Sequence, residues 1–326
     1  MLRAASRSFS LIILLFLFVL MTLDFTVSQQ QSGQTKADSA DQLKSLLDEE
    51  WQYELRSSPE FATWIGDSRY NDRWSDNSPE FFRSDLEQKQ KFLGRFEGIS
   101  ASGLSDQDKL SRELMIRQLK EDIEGAKFKS WEMPVNQMSG PHLEIPDLVT
   151  LTPFKSVKDY EDYISRLQKI PQVFDQITSN MRQGMADHLM PPRILLEKVP
   201  PEVDEIANAA GESNPFAKPL KEFPQTISTD EQKRLSAAIL SAISDDVIPT
   251  YRKFSNFVKN DYAPHGRTEP GVWALPDGDA RYQYSIRRMT TTDLTADQIH
   301  EIGLKELHQT ESEMLALANK LGFKDL

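Results

Sequence analysis

The chain has 326 residues, contains no cysteine and carries a formal net charge of −12 at pH 7. A sequence without cysteine has no disulfides, no thiolate nucleophile, no metal site built on thiolates and no lipoprotein signal. Its acidic residues are spread along the chain and no basic cluster interrupts them, so the electrostatic footprint of a nucleic-acid-binding protein is missing.

The first 28 residues are typical of a secretory signal peptide. Arg3 and Arg7 supply a positive start, and residues 11–23 form an apolar run. A membrane-spanning helix needs about 20 apolar residues, so this run fits the apolar region of a signal peptide better. The alternative is an uncleaved anchor formed by residues 11–27. Both interpretations predict an exported protein, periplasmic or secreted, that meets a membrane only through this leader.

Residues 29–36 are polar and low in complexity, and they are predicted to be a linker. Residues 37–326 are predicted to be mainly α-helical, because helix-capping patterns recur ahead of apolar stripes at helical spacing. The patterns pair Ser39 with Gln42, Ser105 with Asp108, Ser156 with Asp159, Thr229 with Gln232, and Thr295 with Gln298.

Prolines are expected to interrupt this helical pattern. Pro171 should kink or break one helix, and Pro249 should bend another. Residues 133–153 contain four prolines and no helical stripe, which predicts an ordered loop. Residues 198–224 are also rich in proline and polar side chains. They are predicted to join two helical bundles or to wrap the surface.

One β-hairpin is predicted near residues 272–286. Pro276-Asp277-Gly278 is a strong turn signal, and the residues after it alternate in the manner of a strand. In such a hairpin Tyr282 and Tyr284 share a face, with Arg288 close by. Tyrosine and arginine together suit recognition of a peptide backbone or a carboxylate. The alternative is a strand packed on helices, with its arginines extended to water.

No complete catalytic or metal site is predicted in this chain. His300 begins an H-E sequence, but the second histidine of an H-E-x-x-H motif is replaced by Leu304. His308 is two turns from His300, about 12 Å along the helix axis, which is too far to share one metal. Ser139 and His142 lack the G-x-S-x-G surroundings of an activated serine. His142 is instead predicted to line a cleft, since loops carry binding residues more often than helices do.

Several sequence blocks resemble the bacterial family called domain of unknown function 885. They are Pro59 to Asp67 followed by Arg69 to Asp72, Asn136 to His142, Thr152-Pro153-Phe154, Pro191-Pro192-Arg193, Asn214-Pro215-Phe216, and Trp273 to Gly278. The resemblance implies a helical zinc metallopeptidase of the oligopeptidase type, whose metal motif lies in a C-terminal half beyond Leu326. Zinc is therefore expected for the full-length protein and no cofactor for this chain. Residues 37–326 then correspond to the N-terminal helical part of a larger domain, truncated at its C-terminus.

The resemblance also implies a function. The full-length protein is expected to be an exported zinc-dependent peptidase acting on short peptides, and this chain alone is expected to be inactive. Tyr282, Tyr284, Arg288 and His142 are the expected substrate contacts, because a short sheet edge can pair with a peptide backbone. One alternative is a non-catalytic helical binding module of the cell envelope. Another is a truncated product that folds poorly and exposes the apolar face of its last helix.

Overall fold

A computed structural model describes residues 39–325 of the chain. The predicted leader (1–28) and linker (29–36) lie outside the described residues. The described part is mainly α-helical, as predicted, and contains isolated β-bridges but no sheet. Its helices are α1 (39–57), α2 (Pro59–Trp64), α3 (Pro79–Gly98), α4 (Asp106–Ala126), α5 (Pro141–Leu148), α6 (Val157–Ala186), α7 (Arg193–Leu196), α8 (Val199–Asn208), α9 (Thr229–Ala242), α10 (Ile248–Phe257), α11 (Gly278–Thr290) and α12 (Ala296–Lys320).

Two compact units divide the chain. Within the described residues, the first contains 39–58 together with Phe82–Ile123, and the second contains Pro59–Phe81 together with 124–325. Burial of each large apolar side chain stabilises a fold by about 1.5–3 kcal/mol, so a small apolar cluster suffices to hold the helices of the first unit together. This cluster consists of Leu43, Leu46, Phe92, Phe96, Ile99, Leu104 and Leu119.

Helix α6 is the central element of the second unit. The predicted capping box at its start is confirmed: the Ser156 hydroxyl accepts from the Asp159 N–H, and the Asp159 carboxylate accepts from the Ser156 N–H. The helix then runs for 30 residues with Pro171 inside it, so the expected break there is wrong. Ile170 and Phe174 are buried on either side of Pro171, and their packing holds the helix together across the missing hydrogen bond.

Helices α9 and α10 form one continuous element with two π-helical turns. Ser228 caps it by accepting from the Glu231 N–H, one residue earlier than the predicted start. The first π-helical turn is Ile243–Val247, and the second is Val258–Tyr262. Pro249 follows directly after the first turn, where the helical hydrogen-bond pattern is already shifted. The distortion expected at Pro249 therefore takes the form of a widened turn before it.

Both proline-rich stretches contain helices, so the prediction of residues 133–153 as a loop is wrong. Residues 133–153 contain α5, with Pro141 in its first turn, and residues 198–224 contain α8, with proline at its first positions. Proline is well tolerated there, because the first N–H groups of a helix have no internal partner. Val199 and Val203 of α8 are fully buried, and α8 packs closely against α10.

The predicted hairpin at residues 272–286 is also wrong. Val272–Ala274 form a single 3-10 turn, and the residues after it form helix α11. A Cβ atom at Gly278 would lie 2.5 Å from the Val272 carbonyl oxygen, so glycine is needed where the 3-10 turn packs on the helix. The alternation of side chains suggested a strand, but the buried Gly278, Arg281 and Tyr284 recur every three residues, which is helical spacing.

A buried arginine fixes the segment between α2 and α3. Arg166 of α6 is 1% exposed and donates to three backbone carbonyls within residues 59–73 and to the Thr63 hydroxyl. Its guanidinium also lies 5.2 Å from the centre of the Trp74 ring. Burial lowers the pKa of Arg166 to about 10, so the group remains charged at neutral pH. These contacts account for the ordered path of a segment that has few apolar anchors.

Helix α12 contains no buried residue. It exposes a series of large apolar side chains, namely Ile302, Leu304, Leu307, Met314, Leu315 and Leu317. Within residues 39–325, no helix is both long enough and apolar enough to cross a bilayer.

Candidate ligand-binding site

The second unit contains an open cavity of about 520 Å³. Three elements form its walls: α5, α8 and the 3-10 segment Pro215–Lys221 with the residues just before it. Small-molecule sites usually have volumes of roughly 300–1,000 Å³, so the cavity is large enough for a small ligand.

His142 forms the innermost part of the α5 wall. The residue is 1% exposed, and its ring lies 6.4 Å from the ring of Phe254. A Cβ atom at Gly140 would lie 3.0 Å from His142 Nδ1, and Gly140 has a φ of 134°. Glycine is therefore required before Pro141 for two reasons, the backbone conformation and the close approach of the imidazole. The Ser139-Gly140-Pro141-His142 sequence builds this wall.

A buried imidazole faces a carboxylate across the cavity floor. His142 Nε2 lies 3.2 Å from Glu202 Oε2 of α8. Burial lowers the pKa of His142 to about 4, and burial together with Glu205 raises the pKa of Glu202. The His142 side chain is fully enclosed while that of Glu202 is 34% exposed, so the imidazole is neutral at pH 7 and the carboxylate is ionised. In this state the Nε2–H of His142 donates to Glu202.

The other ring nitrogen of His142, Nδ1, has no partner among residues 39–325. Nδ1 is buried and makes no hydrogen bond to any residue that the structure describes. With Nε2 protonated, Nδ1 carries a lone pair, which costs less to bury than an unpaired N–H or a charge. The arrangement therefore favours one tautomer and one rotamer of His142.

Carboxylates dominate the α8 side of the cavity. Glu202, Glu205 and Ile206 lie on one face of α8, because residues three and four apart are neighbours on a helix. Asp147 of α5 and Glu212 also line the cavity. Glu202 Oε2 contacts His142, and no hydrogen bond to Oε1 is present among the described residues.

Two lysines line the cavity from a third element. Lys218 and Lys221 lie in a 3-10 segment, where residues three apart share a face and are separated by about 6 Å along the axis. Both are exposed, and neither forms an ion pair with a carboxylate within the part of the chain that the structure covers. Four carboxylates and two ammonium groups thus line one cavity; Glu202 and Glu205 lie on α8, whereas both lysines lie on the 3-10 segment.

The 3-10 segment Pro215–Lys221, called the lysine segment, is held in place by hydrogen bonds from α6 and from Asn214. Tyr163 and Tyr160 of α6 donate from their hydroxyls to the carbonyls of Phe216, at 2.8 Å, and Pro219, at 3.3 Å. Asn214 is 1% exposed; its side chain accepts from the Phe216 N–H and donates to two carbonyls at the end of α8. The lysines therefore project from a fixed backbone.

Of the four predicted substrate contacts, only His142 lines this cavity. Tyr282, Tyr284 and Arg288 lie on α11, and none of them is on a strand. Tyr284 is buried, its ring lies 5.2 Å from that of Phe128, and its hydroxyl accepts from Arg288 Nη1 at 3.0 Å. Tyr282 is 48% exposed. These residues were proposed to pair with a peptide backbone as part of a strand. Because they lie on a helix, they cannot pair with a peptide in that way.

Glu202, Lys218 and Lys221 were missed by the sequence analysis. Their stretch was interpreted as irregular because of its prolines, although two signals were available. Glu202 lies between Val199, Val203 and Ile206 at helical spacing, and the two lysines are separated by one 3-10 turn after an Asn-Pro start.

The described residues do not fit a zinc site. Between residues 39 and 325, no three side chains of histidine, aspartate or glutamate come together in a way that could hold a metal ion. His300 and His308 both lie on exposed α12, and His308 Nδ1 lies 3.6 Å from Glu311. No residue described here is therefore assigned a role toward zinc.

The described part of the chain is thus an α-helical protein with a cavity large enough for a small ligand. The chain matches the family described as "Bacterial protein of unknown function (DUF885)" over residues 59–326 and belongs to that family. It is also similar to a solved structure described as "The crystal structure of the putative lipoprotein from Colwellia psychrerythraea", with a TM-score of 0.80 and 21% sequence identity. At this identity the similarity shows a shared fold.

That similarity covers 88% of this chain and 52% of the Colwellia chain. This chain therefore spans about half the length of that protein. No curated protein matches the chain.

Proposed function

We propose that this chain is the N-terminal helical portion of an exported peptidase that acts on short peptides, and that its cavity contacts the peptide. The observation that carries the proposal is the cavity itself, which is lined by carboxylates on α8 and by lysines on the 3-10 segment. A short peptide carries both an ammonium and a carboxylate, and these groups complement the two walls. Acidic and basic groups at fixed positions on rigid elements suit orientation of such a ligand.

Export is part of this proposal. The leader-like sequence at the start of the chain supports it, as does the description "putative lipoprotein" of the Colwellia protein. This chain has no cysteine, so it lacks the residue through which bacterial lipoproteins are lipidated. The proposal is a periplasmic or secreted protein, with residues 11–27 as its membrane anchor when the leader is not cleaved.

The chemistry of hydrolysis is not assigned to the residues described here. Zinc in the complete protein is a proposal that rests on the family resemblance. In this chain the cavity would bind and orient a peptide. The hydrogen bond from His142 would fix the position of the Glu202 carboxylate on the cavity wall. A helical binding module that holds peptides without cleaving them would use the same residues, and cleavage distinguishes the two.

The proposal is tested by reading the gene beyond the codon for Leu326 and assaying its product. We expect the frame to continue into an H-E-x-x-H motif, and the product to cleave short peptides in a zinc-dependent manner, as followed by mass spectrometry. A stop codon directly after Leu326, with peptides bound but not cleaved, would favour the binding module. If the product neither binds nor cleaves any peptide, both functions are overturned.

A further inference from the structure

We infer that the cavity between α5, α8 and the 3-10 segment Pro215–Lys221 recognises the free termini of a zwitterionic ligand, a short unblocked peptide or an amino acid. Glu202 and Glu205 receive the ammonium group, and Lys218 and Lys221 receive the carboxylate. The inference rests on the proposed function. It adds which chemical groups of the peptide are bound and which residues bind them.

The balance of charge in the cavity decides between ligand classes. Four carboxylates and two lysines line it, so the walls together are negative when all six groups are ionised. A purely anionic ligand, such as a phosphate or a dicarboxylate, would be attracted by the lysines and repelled by the larger set of carboxylates. A purely cationic ligand would leave both lysines without an anion. A zwitterion satisfies both walls.

The acidic wall has an oxygen oriented for a donor. His142 holds Glu202 by one carboxylate oxygen, Oε2, and the imidazole is itself enclosed and fixed. Glu205 follows on the same face of α8, so its carboxylate lies about one helical turn away. An ammonium group has three donors and can bind two carboxylates at once.

The basic wall provides a pair of ammonium groups. Lys218 and Lys221 project from the same face of a backbone that Tyr160, Tyr163 and Asn214 hold by hydrogen bonds. Two ammonium groups on neighbouring side chains of one helical face repel one another, and an anion that binds both relieves this repulsion. A single carboxylate can accept from both, one at each oxygen.

The cavity volume limits the length of the ligand. About 520 Å³ is in the range of sites for small molecules and is too small for a folded partner or an extended polypeptide. With both walls within one cavity, the ammonium and carboxylate groups must belong to a ligand short enough to present both ends there. This explains why short peptides, and not internal segments of long chains, are the expected occupants.

The test uses one peptide sequence in four forms. Alanyl-leucine is compared with its N-acetylated, C-amidated and doubly blocked forms by NMR titration of the full chain at pH 7.5. The free form should bind most tightly, and each blocking group should weaken binding by about tenfold, because each removes charge-assisted hydrogen bonds.

Matched variants assign each end to its wall. The double variant with Lys218→Gln and Lys221→Gln should lose the preference for a peptide with a free carboxylate. It should keep the preference for a peptide with a free amine. Glu205→Gln should weaken the preference for a free amine only. The controls are Lys44→Gln with Lys91→Gln and, separately, Glu87→Gln, which change the same charges at exposed positions of the first unit. Circular dichroism checks that every variant is folded.

The outcomes separate this inference from the function it rests on. Equal binding of all four peptide forms, or a control pair that acts like the lysine pair, would overturn recognition of termini while leaving peptide binding intact. Failure of all four forms to bind would overturn both this inference and the role of the cavity in the proposed function.

Discussion

Acidification from pH 7.5 to pH 5.5 should destabilise this protein through His142, and replacement of His142 should remove that effect. The folded state keeps the imidazole neutral, with a pKa of about 4, while the unfolded chain has a histidine pKa of about 6.5. Between these values the unfolded state binds more protons than the folded state, so stability falls as the pH falls. Below about pH 4 both states are protonated, and no further loss follows from this residue.

The magnitude depends mainly on the unfolded state. At pH 5.5 the protonated form of an unfolded histidine outnumbers the neutral form by about ten to one, whereas His142 in the folded state is almost wholly neutral. Linkage then gives a loss of about 1.4 kcal/mol relative to pH 7.5. Any folded pKa below about 5 gives nearly the same figure. The chosen pH also stays above the isoelectric point of about 5.0, where the protein has little net charge and tends to associate.

Urea unfolding followed by circular dichroism measures the effect. The wild type and His142→Gln are each unfolded at pH 7.5 and pH 5.5, and the difference between their pH dependences isolates His142. His308→Gln is the matched control, because it makes the same substitution at a side chain that is 76% exposed. Equal pH dependences in the wild type and His142→Gln would refute a neutral, buried imidazole.

Three further predictions concern packing and the lysine segment. Arg166→Met removes four buried hydrogen bonds to residues 59–73 and should lower the free energy of unfolding by about 3 kcal/mol, measured by urea titration. Gly278→Ala should cost about 1–3 kcal/mol, seen as a lower Tm, because its Cβ would overlap the 3-10 turn. Gly303→Ala, with nothing within 4 Å, should be neutral or stabilising. Asn214→Ala should cost about 1–2 kcal/mol and weaken peptide binding, since it frees the start of the lysine segment.

The sequence was most informative where local rules and packing agree. Ser156 with Asp159 and Thr295 with Gln298 are capping boxes in the structure as in the sequence, because the side chain and backbone involved are only three residues apart. The mainly helical class followed from such starts and from apolar stripes. These signals are local, so they do not depend on contacts that are distant in sequence.

The errors arose where tertiary packing overrides a local signal. Pro276-Asp277-Gly278 is typical of a hairpin turn, yet Gly278 is needed for the close approach of the 3-10 turn to α11. Proline in residues 198–224 suggested an irregular segment, while in the structure it starts α8. Of the candidate site, only His142 was anticipated. Glu202, Lys218 and Lys221 come to it through packing between elements about 60 to 80 residues apart, which no local pattern reports.

The most direct test of the central claim is to map the peptide on the chain. Amide chemical shifts of the isotope-labelled protein are followed while free alanyl-leucine is added. We expect the largest changes at residues lining the cavity, such as Thr150, Ile206 and Asn214. Changes confined to α11 around Tyr282, or no saturable change at all, would contradict the claim that this cavity binds the peptide.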